Sequence, residues 1–252
     1  MVHTQVQGYF DNHALELGPA PVVLDVGANI GLFALELRRR YPDATIYAFE
    51  PIPAIYQALV ANAETHGGGR IRPIPEGLSQ TVGEARFVFY PRSTVLSTRY
   101  PEGLKDNLHV ALQDSIASTP QHMRWFQWLP NSIQRFVLRQ TVNTLLAPQE
   151  VTCTLNTLSN ALRTHGVSRV DLLKIDAEQS ELEVLQGIDD AHWPGIQQLV
   201  IEVHDIDGRL EQITTMLRAQ GFTRLRTSKE AKLENLPIFS LHALRPASTA
   251  GS

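Results

Sequence analysis

The chain has 252 residues, of which 43% are hydrophobic and 19% are charged, as is typical of a globular protein with a sizeable core. Its formal net charge of -4 disfavours a nucleic-acid-binding surface, which usually carries a basic excess. The single cysteine excludes an internal disulfide and indicates a reducing compartment. Since neither a signal-peptide pattern nor a membrane-spanning window is found, we expect a cytoplasmic protein without nucleic-acid or membrane partners.

Strands and helices are predicted to alternate, an order that builds a mostly parallel sheet with helices on both faces. The first strand covers 22–26, and a glycine turn leads from it into a helix over 30–40. The later strands are predicted at 45–49, 70–74, 85–90, 151–155, 170–175, 199–203, 222–226 and 238–242, and the later helices at 53–65, 158–165, 181–186 and 209–219. We expect the last two strands to close the sheet as an antiparallel pair.

Residues 91–148 interrupt this alternation and form too long a stretch for a structureless loop in a compact domain. Their apolar residues at helical spacing favour a helical cap inserted over the ligand end of the sheet. Packing against the side of the core is the alternative. We expect 1–252 to form a single domain that contains this cap. The small polar tail, 246–252, is typical of a linker and suggests a domain of a larger protein.

The turn Asp25-Val26-Gly27-Ala28-Asn29-Ile30-Gly31 has an acid at its head, and a second acid, Glu50, ends the next predicted strand. In open α/β sheets, ligands bind beyond the carboxyl ends of the strands, and such a second acid binds ribose hydroxyls. The turn lacks the G-x-G-x-x-G spacing of a dinucleotide site. A carboxylate also suits an ammonium group better than a pyrophosphate. The pattern therefore favours S-adenosylmethionine, and glycines that serve only packing are the alternative.

Each residue of this site has an expected role. Asp25 is assigned to the cofactor's ammonium group, directly or through water, with capping of the first helix as the alternative. Gly27 and Gly31 are expected to let the backbone approach the ligand, and Asn29 to cap the helix or contact the methionine carboxylate. Glu50 is assigned to the ribose diol, because a carboxylate accepts two hydroxyl protons. Two further residues, expected beside the adenine edge or in ordinary loop packing, are Gly77 and Leu78.

A hydroxyl acceptor loses its proton during methyl transfer, and a base with a pKa near neutrality serves best. His204 follows a predicted strand directly and is the predicted base; a histidine that only hydrogen-bonds the backbone is the alternative. Glu202, on the same strand face, is expected to orient the imidazole. Asp176, Glu178 and Glu181 form an acidic cluster that we expect to fix its loop and orient the substrate. Binding of Mg²⁺ or Mn²⁺ there is the alternative, and no metal site is assigned.

Four blocks in this order resemble the FkbM family of S-adenosylmethionine-dependent methyltransferases: 24–31, 47–51, 173–178 and 201–204. The family's usual glycine after the third block is Gln179 here, which narrows the room around the ligand or alters the turn. The resemblance implies a class I methyltransferase fold with a Rossmann-like sheet. It also implies O-methylation, often of sugars or polyketide-type intermediates. Some members are assembly-line modules whose substrates are tethered to an acyl carrier protein.

The residues and the resemblance together predict an O-methyltransferase of secondary metabolism that acts on a small molecule or a carrier-bound acyl chain. An acyl carrier protein is therefore a possible partner. The arginines of the cap are candidates for its phosphopantetheine phosphate, with a solvated surface as the alternative: Arg92, Arg99, Arg124, Arg135 and Arg139. N-methylation, a NAD-dependent oxidoreductase and a cofactor-binding module without turnover are the alternative functions. Lys174 is expected to pair with an acid at the edge of the core.

Overall fold

The computed structural model describes residues 15–91, 133, 148–229 and 237–246. The chain divides into two compact units, one formed by 1–85 with 152–252 and the other by 86–151. Almost all of the predicted cap at 91–148, with its arginines, lies outside the described residues. The helical cap and the single-domain organisation therefore stay predictions.

Ten strands and five α-helices are formed by the described residues. The strands are β1 (Val22–Val26), β2 (Thr45–Phe49), β3 (Ile71–Ile74), β4 (Gly77–Leu78), β5 (Gly83–Phe89), β6 (Gln149–Asn156), β7 (Leu172–Ile175), β8 (Gln198–His204), β9 (Arg224–Ser228) and β10 (Ile238–Leu244). The α-helices are α1 (Leu32–Arg40), α2 (Pro53–His66), α3 (Leu158–His165), α4 (Glu181–Gln186) and α5 (Arg209–Ala219). None of the described helices has the length and apolar character that crossing a membrane requires.

Seven of the strands form one sheet in the order β3-β2-β1-β7-β8-β10-β9. The first five are parallel, and β10 runs antiparallel to both β8 and β9. This mostly parallel sheet with an antiparallel closing strand confirms the predicted fold class. A second sheet has three strands in the order β4-β6-β5. Its short strand β4 occupies Gly77 and Leu78, where only a loop was predicted.

Helices cover both faces of the large sheet because neighbouring strand residues point to opposite sides. On β1, Val23 packs into a buried cluster with Phe33 and Leu37 of α1, whereas Leu24 belongs to the cluster on the other face. That second cluster takes its helical members from α3, α4 and α5. A continuous run of apolar residues in the central strands is therefore needed to bury both faces.

The strand order reverses between β1 and β7, since the chain builds outwards from β1 on one side and from β7 on the other. All parallel strands point their carboxyl ends at one edge of the sheet. Residues that follow β2, β7 and β8 meet there with the glycine turn after β1. Ligands of open α/β sheets bind at such a reversal point, so the fold brings the predicted site residues to this edge.

Candidate active site

The backbone amides of the glycine turn are all occupied by partners within the protein. The amides of Gly27 and Ala28 both donate to the carbonyl oxygen of Phe49, at 3.1 and 2.9 Å. The Asn29 amide donates to Glu50 Oε2 at 3.1 Å, and the next two amides donate to Asn29 Oδ1 and the Ala28 carbonyl oxygen. The turn is therefore fastened to the end of β2 and directs none of these five amides at a ligand.

Glu50 is the residue that fastens it. Its carboxylate is 5% exposed, and its second oxygen, Oε1, accepts a hydrogen bond from the Ile52 amide at 2.9 Å. Burial raises the pKa of Glu50 to about 7, although the amides of Ile52 and Asn29 and the charge of Lys174 act in the opposite direction. Each carboxylate oxygen accepts one of these amides and keeps a second lone pair for another donor.

Protein atoms fill the space beside the two glycines of the turn. A Cβ on Gly27 would lie 1.8 Å from the carbonyl oxygen of Asp176, and one on Gly31 would lie 2.7 Å from Leu59 Cδ1. Both residues also have positive φ angles, 74° and 89°, which favour glycine. These contacts correspond to the packing alternative. The close backbone approach that the sequence predicted towards a ligand stays a prediction.

Asp25 is fully buried, and the cation beside it belongs to the protein. Lys174 Nζ lies 2.9 Å from Asp25 Oδ1 and 3.5 Å from Asp176 Oδ2, and it donates to the carbonyl oxygen of Gly27 at 3.2 Å. The expected pairing of Lys174 with an acid is thus confirmed. Asp25 caps no helix, because Gly31 is the N-cap of α1. Its assignment to a cofactor ammonium group stays a prediction.

Gly77 and Leu78 lie beside the segment that follows Glu50. A Cβ on Gly77 would lie 3.3 Å from Pro51 Cβ and 2.9 Å from Leu155 Cδ2. Leu78 is 4% exposed and pairs in parallel with Asn156 of β6. Both residues therefore border the predicted ribose end of the site through strand packing, and their role at an adenine edge stays a prediction.

His204, the last residue of β8, is held between two carboxylates. Its Nδ1 lies at hydrogen-bond distance, 3.0 Å, from Glu181 Oε1, and its Nε2 is 3.5 Å from Glu178 Oε2. Burial disfavours the charged ring, but Glu181, Glu178 and Glu202 outweigh it and raise the pKa of His204 to about 9. This arrangement differs from the predicted one, because the carboxylate on Nδ1 is that of Glu181, whereas Glu202 acts on the ring through its charge.

The remaining acids of the predicted cluster differ in what they contact. Asp176 lies beside Lys174, whereas Glu178 faces His204. Burial and the charge of Asp176 raise the pKa of Glu178 well above its ordinary value, against the opposing effect of His204. Within the described ranges, no group of three or more His, Cys, Asp or Glu side chains has an arrangement that would hold a metal ion.

Glu181 of the predicted acidic cluster and Arg209, which the sequence did not assign to the site, hold the loop that carries these acids. Glu181 is fully buried and accepts the Gln179 amide at 2.7 Å. Arg209, at the start of α5, donates to the Gln179 carbonyl oxygen at 2.6 Å and lies 3.5 Å from Glu181 Oε2. Both Glu178 and Gln179 have positive φ angles, 43° and 78°. The loop therefore needs these contacts to keep two ordinary side chains in the left-handed region.

We expect Gln179→Gly to raise the free energy of unfolding by about 0.5–1 kcal/mol, because glycine adopts a positive φ without a Cβ clash. Chemical denaturation of the purified variant measures this change. Gln57→Gly, on the exposed face of α2, is the matched control and should lower the free energy of unfolding by about 1 kcal/mol. A loss of stability in both variants would contradict the assignment of strain to Gln179.

Comparison with known families identifies the family of this chain. A model of the methyltransferase FkbM domain matches residues 25–224, which include the glycine turn, Glu50, the acidic loop and His204. This chain belongs to the FkbM methyltransferase family. The family resemblance predicted from the four sequence blocks is thereby confirmed, and the chain is a member of a family of methyltransferases.

Several curated proteins are similar to this chain over most of its length. The 31-O-demethyl-FK506 methyltransferase FkbM of Streptomyces tacrolimicus is 35% identical over 95% of this chain and 85% of its own. The methyltransferase sdnD of Sordaria araneosa is 30% identical over 88% of this chain and 82% of its own. The AMB antimetabolite synthetase AmbE of Pseudomonas aeruginosa is 32% identical over 96% of this chain, which spans only 11% of AmbE.

The fold of the FkbM family is also seen in a solved structure. The crystal structure of methyltransferase FkbM from Methylobacillus flagellatus aligns with a TM-score of 0.58, over 94% of this chain and 47% of that one. At 12% identity the likeness concerns the fold alone. It agrees with the Rossmann-like sheet described above.

Proposed function

We propose that this chain transfers the methyl group of S-adenosylmethionine to a hydroxyl group of a small molecule or of an acyl chain bound to a carrier protein. Membership of the FkbM methyltransferase family supports the reaction class. The observation that carries the choice of cofactor is the glycine turn, whose five amides, from Gly27 to Gly31, are used within the protein.

A nicotinamide dinucleotide binds its pyrophosphate through free amides at such a turn and helix N-terminus. Here the five amides of the turn itself donate to Phe49, Glu50, Asn29 and Ala28. A dinucleotide would have to break these bonds, so the turn favours a ligand without phosphate. S-adenosylmethionine is such a ligand, which disfavours the oxidoreductase alternative.

Glu50 is the residue best suited to the ribose diol. Its two oxygens each accept one backbone amide and retain acceptor capacity, so two hydroxyl groups find two acceptors side by side. Asn29 stands next to it at a φ of 49° and bonds its own neighbour Ile30 with its side chain. When bound, S-adenosylmethionine supplies a methyl group on a positively charged sulfur.

His204 would take the proton from the acceptor hydroxyl. The ring lies at the carboxyl end of β8, on the sheet edge that carries the cofactor residues. Its Nδ1 faces the Glu181 carboxylate, which leaves Nε2 as the nitrogen that takes up a proton. Glu178 faces that nitrogen and can share the proton. Glu202 adds negative charge nearby and favours the protonated ring that results.

The names of similar proteins support a proposal for the kind of metabolism in which the reaction takes place. Named relatives include a methyltransferase of demethyl-FK506 and a synthetase of which this chain matches 11%. Both support a role in secondary metabolism, and the second supports a module within a larger synthetase.

A mass-spectrometric methyl-transfer assay tests this proposal. The enzyme is mixed with S-adenosylmethionine and matched hydroxyacyl chains, free and loaded on a carrier protein. A gain of one methyl group on oxygen supports the proposal, and the form that gains it identifies the acceptor state. Binding of S-adenosylmethionine without transfer to any hydroxyl acceptor would favour a binding module. Methyl gain on matched amines alone would favour an N-methyltransferase.

Cofactor affinity should depend on the ionisation of Glu50. Because the pKa of Glu50 is raised to about 7 and the diol bonds best to the carboxylate, we expect affinity to fall about tenfold per pH unit below 7. Calorimetric titration with S-adenosylmethionine between pH 5.5 and 8.5 measures this. Glu50→Gln should bind weakly at every pH. Glu64→Gln, an exposed glutamate of α2, is the control and should follow the native curve. A pH-independent native affinity would contradict the prediction.

A further inference from the structure

We propose that Glu181 and Arg209 are positioning residues for the methyl transfer: Glu181 fixes the ring of His204, and Arg209 fixes Glu181 together with the loop that carries Glu178. The inference rests on the proposed function. It adds Arg209, which the sequence pattern did not assign to the site, and gives Glu181 of the predicted acidic cluster a defined contact with the ring.

The contacts form a continuous chain from α5 to β8. Arg209 donates to the carbonyl oxygen of Gln179 at 2.6 Å and lies 3.5 Å from Glu181 Oε2. The other oxygen of Glu181 accepts the Gln179 amide at 2.7 Å and lies 3.0 Å from His204 Nδ1. The backbone amide of Gln179 thus bonds to Glu181, and its carbonyl oxygen bonds to Arg209. The imidazole is oriented by a carboxylate that cannot turn away without breaking this loop.

Burial makes the arrangement restrictive. Glu181 has no exposed surface, the Arg209 side chain is 20% exposed and the His204 side chain is 12% exposed. Burial of a carboxylate is unfavourable unless hydrogen-bond donors replace the lost water. For Glu181 these donors are the Gln179 amide, the His204 imidazole and the Arg209 guanidinium. The same carboxylate favours a proton on Nδ1. In the neutral ring it therefore selects the tautomer whose Nε2 is unprotonated, as a base requires. Glu178 and Glu202 are the other charged groups that face the ring.

Two variants and their controls test the roles. Glu181→Gln keeps the side-chain shape but removes the charge that fixes Nδ1–H, so we expect kcat to fall about 100-fold. Arg209→Met loosens the loop and should lower kcat about tenfold, with Arg209→Lys in between. Dissociation constants for S-adenosylmethionine should stay within about twofold, because the glycine turn and Glu50 follow β1 and β2, whereas Glu181 and Arg209 lie on α4 and α5. Glu183→Gln and Arg218→Met, on the same two helices, are the matched controls and should retain native kcat.

Nuclear magnetic resonance of the His204 ring supplies a readout that does not need turnover. In the native protein we expect the Nδ1–H tautomer and a raised ring pKa, and in Glu181→Gln a ring pKa lower by at least one unit. A ring that titrates identically in both proteins would overturn the inference, as would a loss of kcat that only follows a loss of folded protein. If the native enzyme transfers no methyl group but the ring shows this shift, the proposed function fails and the positioning contacts stand.

Discussion

Replacing Lys174 with Met is expected to lower the free energy of unfolding by about 3–5 kcal/mol, because it leaves the Asp25 carboxylate buried without its cation. Asp25 is fully buried, and Lys174 is 3% exposed at 2.9 Å from it. Lys174 also bonds the Gly27 carbonyl oxygen and neighbours Asp176, so its loss loosens the glycine turn and the end of β7 together. Urea denaturation at neutral pH measures the change.

The pH dependence of the variant identifies the cause. Burial already raises the pKa of Asp25, and removal of Lys174 takes away the interaction that lowers it. The folded variant should then bind a proton more tightly than the unfolded chain, so its stability rises as the pH falls towards the unfolded value of about 3.9. The double variant Asp25→Asn, Lys174→Met should recover much of the stability at neutral pH.

A surface ion pair provides the control for this effect. Arg163 and Asp189 lie 2.8 Å apart, but both side chains are more than half exposed. Arg163→Met should therefore change the free energy of unfolding by less than about 1 kcal/mol. If Lys174→Met were as stable as Arg163→Met, the prediction would be wrong, because water or a structural rearrangement would then stabilise the buried Asp25 carboxylate in place of Lys174.

Replacing His204 with Ala is expected to lower kcat/KM for methyl transfer by about 10²–10⁴-fold, the usual contribution of a positioned base. S-adenosylmethionine should bind the variant with native affinity, since Glu50 and the glycine turn are untouched. Steady-state kinetics with the acceptor from the mass-spectrometric assay and calorimetric titration with the cofactor separate the two effects. His66→Ala, at an exposed position near the end of α2, should retain native activity.

The pH profile adds a second test of the same residue. Because carboxylates raise the pKa of His204 to about 9 and a base acts in its unprotonated form, kcat/KM of the native enzyme should rise with pH and level off near 9. The His204→Ala variant should lose this rise. A native profile that is flat between pH 6 and 9, or an active His204→Ala enzyme, would exclude the histidine as the base.

The sheet and the position of its site could be predicted because strong local patterns determine both. The buried runs at 22–26, 45–49, 172–175 and 198–204 are too apolar and too regularly spaced to form anything but central strands. Parallel strands bring their carboxyl ends to one edge, so Glu50 and His204 were expected at the same edge as the glycine turn.

The partners of the charged residues were not predictable in the same way. Spacing suggested that Glu202 orients His204, since the two share a strand face. The positive φ angles of Glu178 and Gln179 redirect the chain after β7 and carry Glu181 to the ring instead. Arg209 lies on α5, 28 residues after Glu181 in the sequence, and no local sequence pattern predicts a contact over that separation. The acid at the head of the turn indicated a cation, but its burial with Lys174 depends on the register of β1 against β7.

The self-contained hydrogen bonding of the glycine turn has a further consequence for how a ligand is received. Loops that order only on binding subtract that entropy cost from the affinity. The turn from Gly27 to Gly31 is already tied to Phe49 and Glu50, so little conformational freedom is left to lose. Its amide hydrogens should exchange slowly with solvent whether or not a ligand is present. A ligand at this end of the sheet would therefore bind a preorganised site. Selectivity among ligands would depend on the shape of the site and on its hydrogen-bond acceptors.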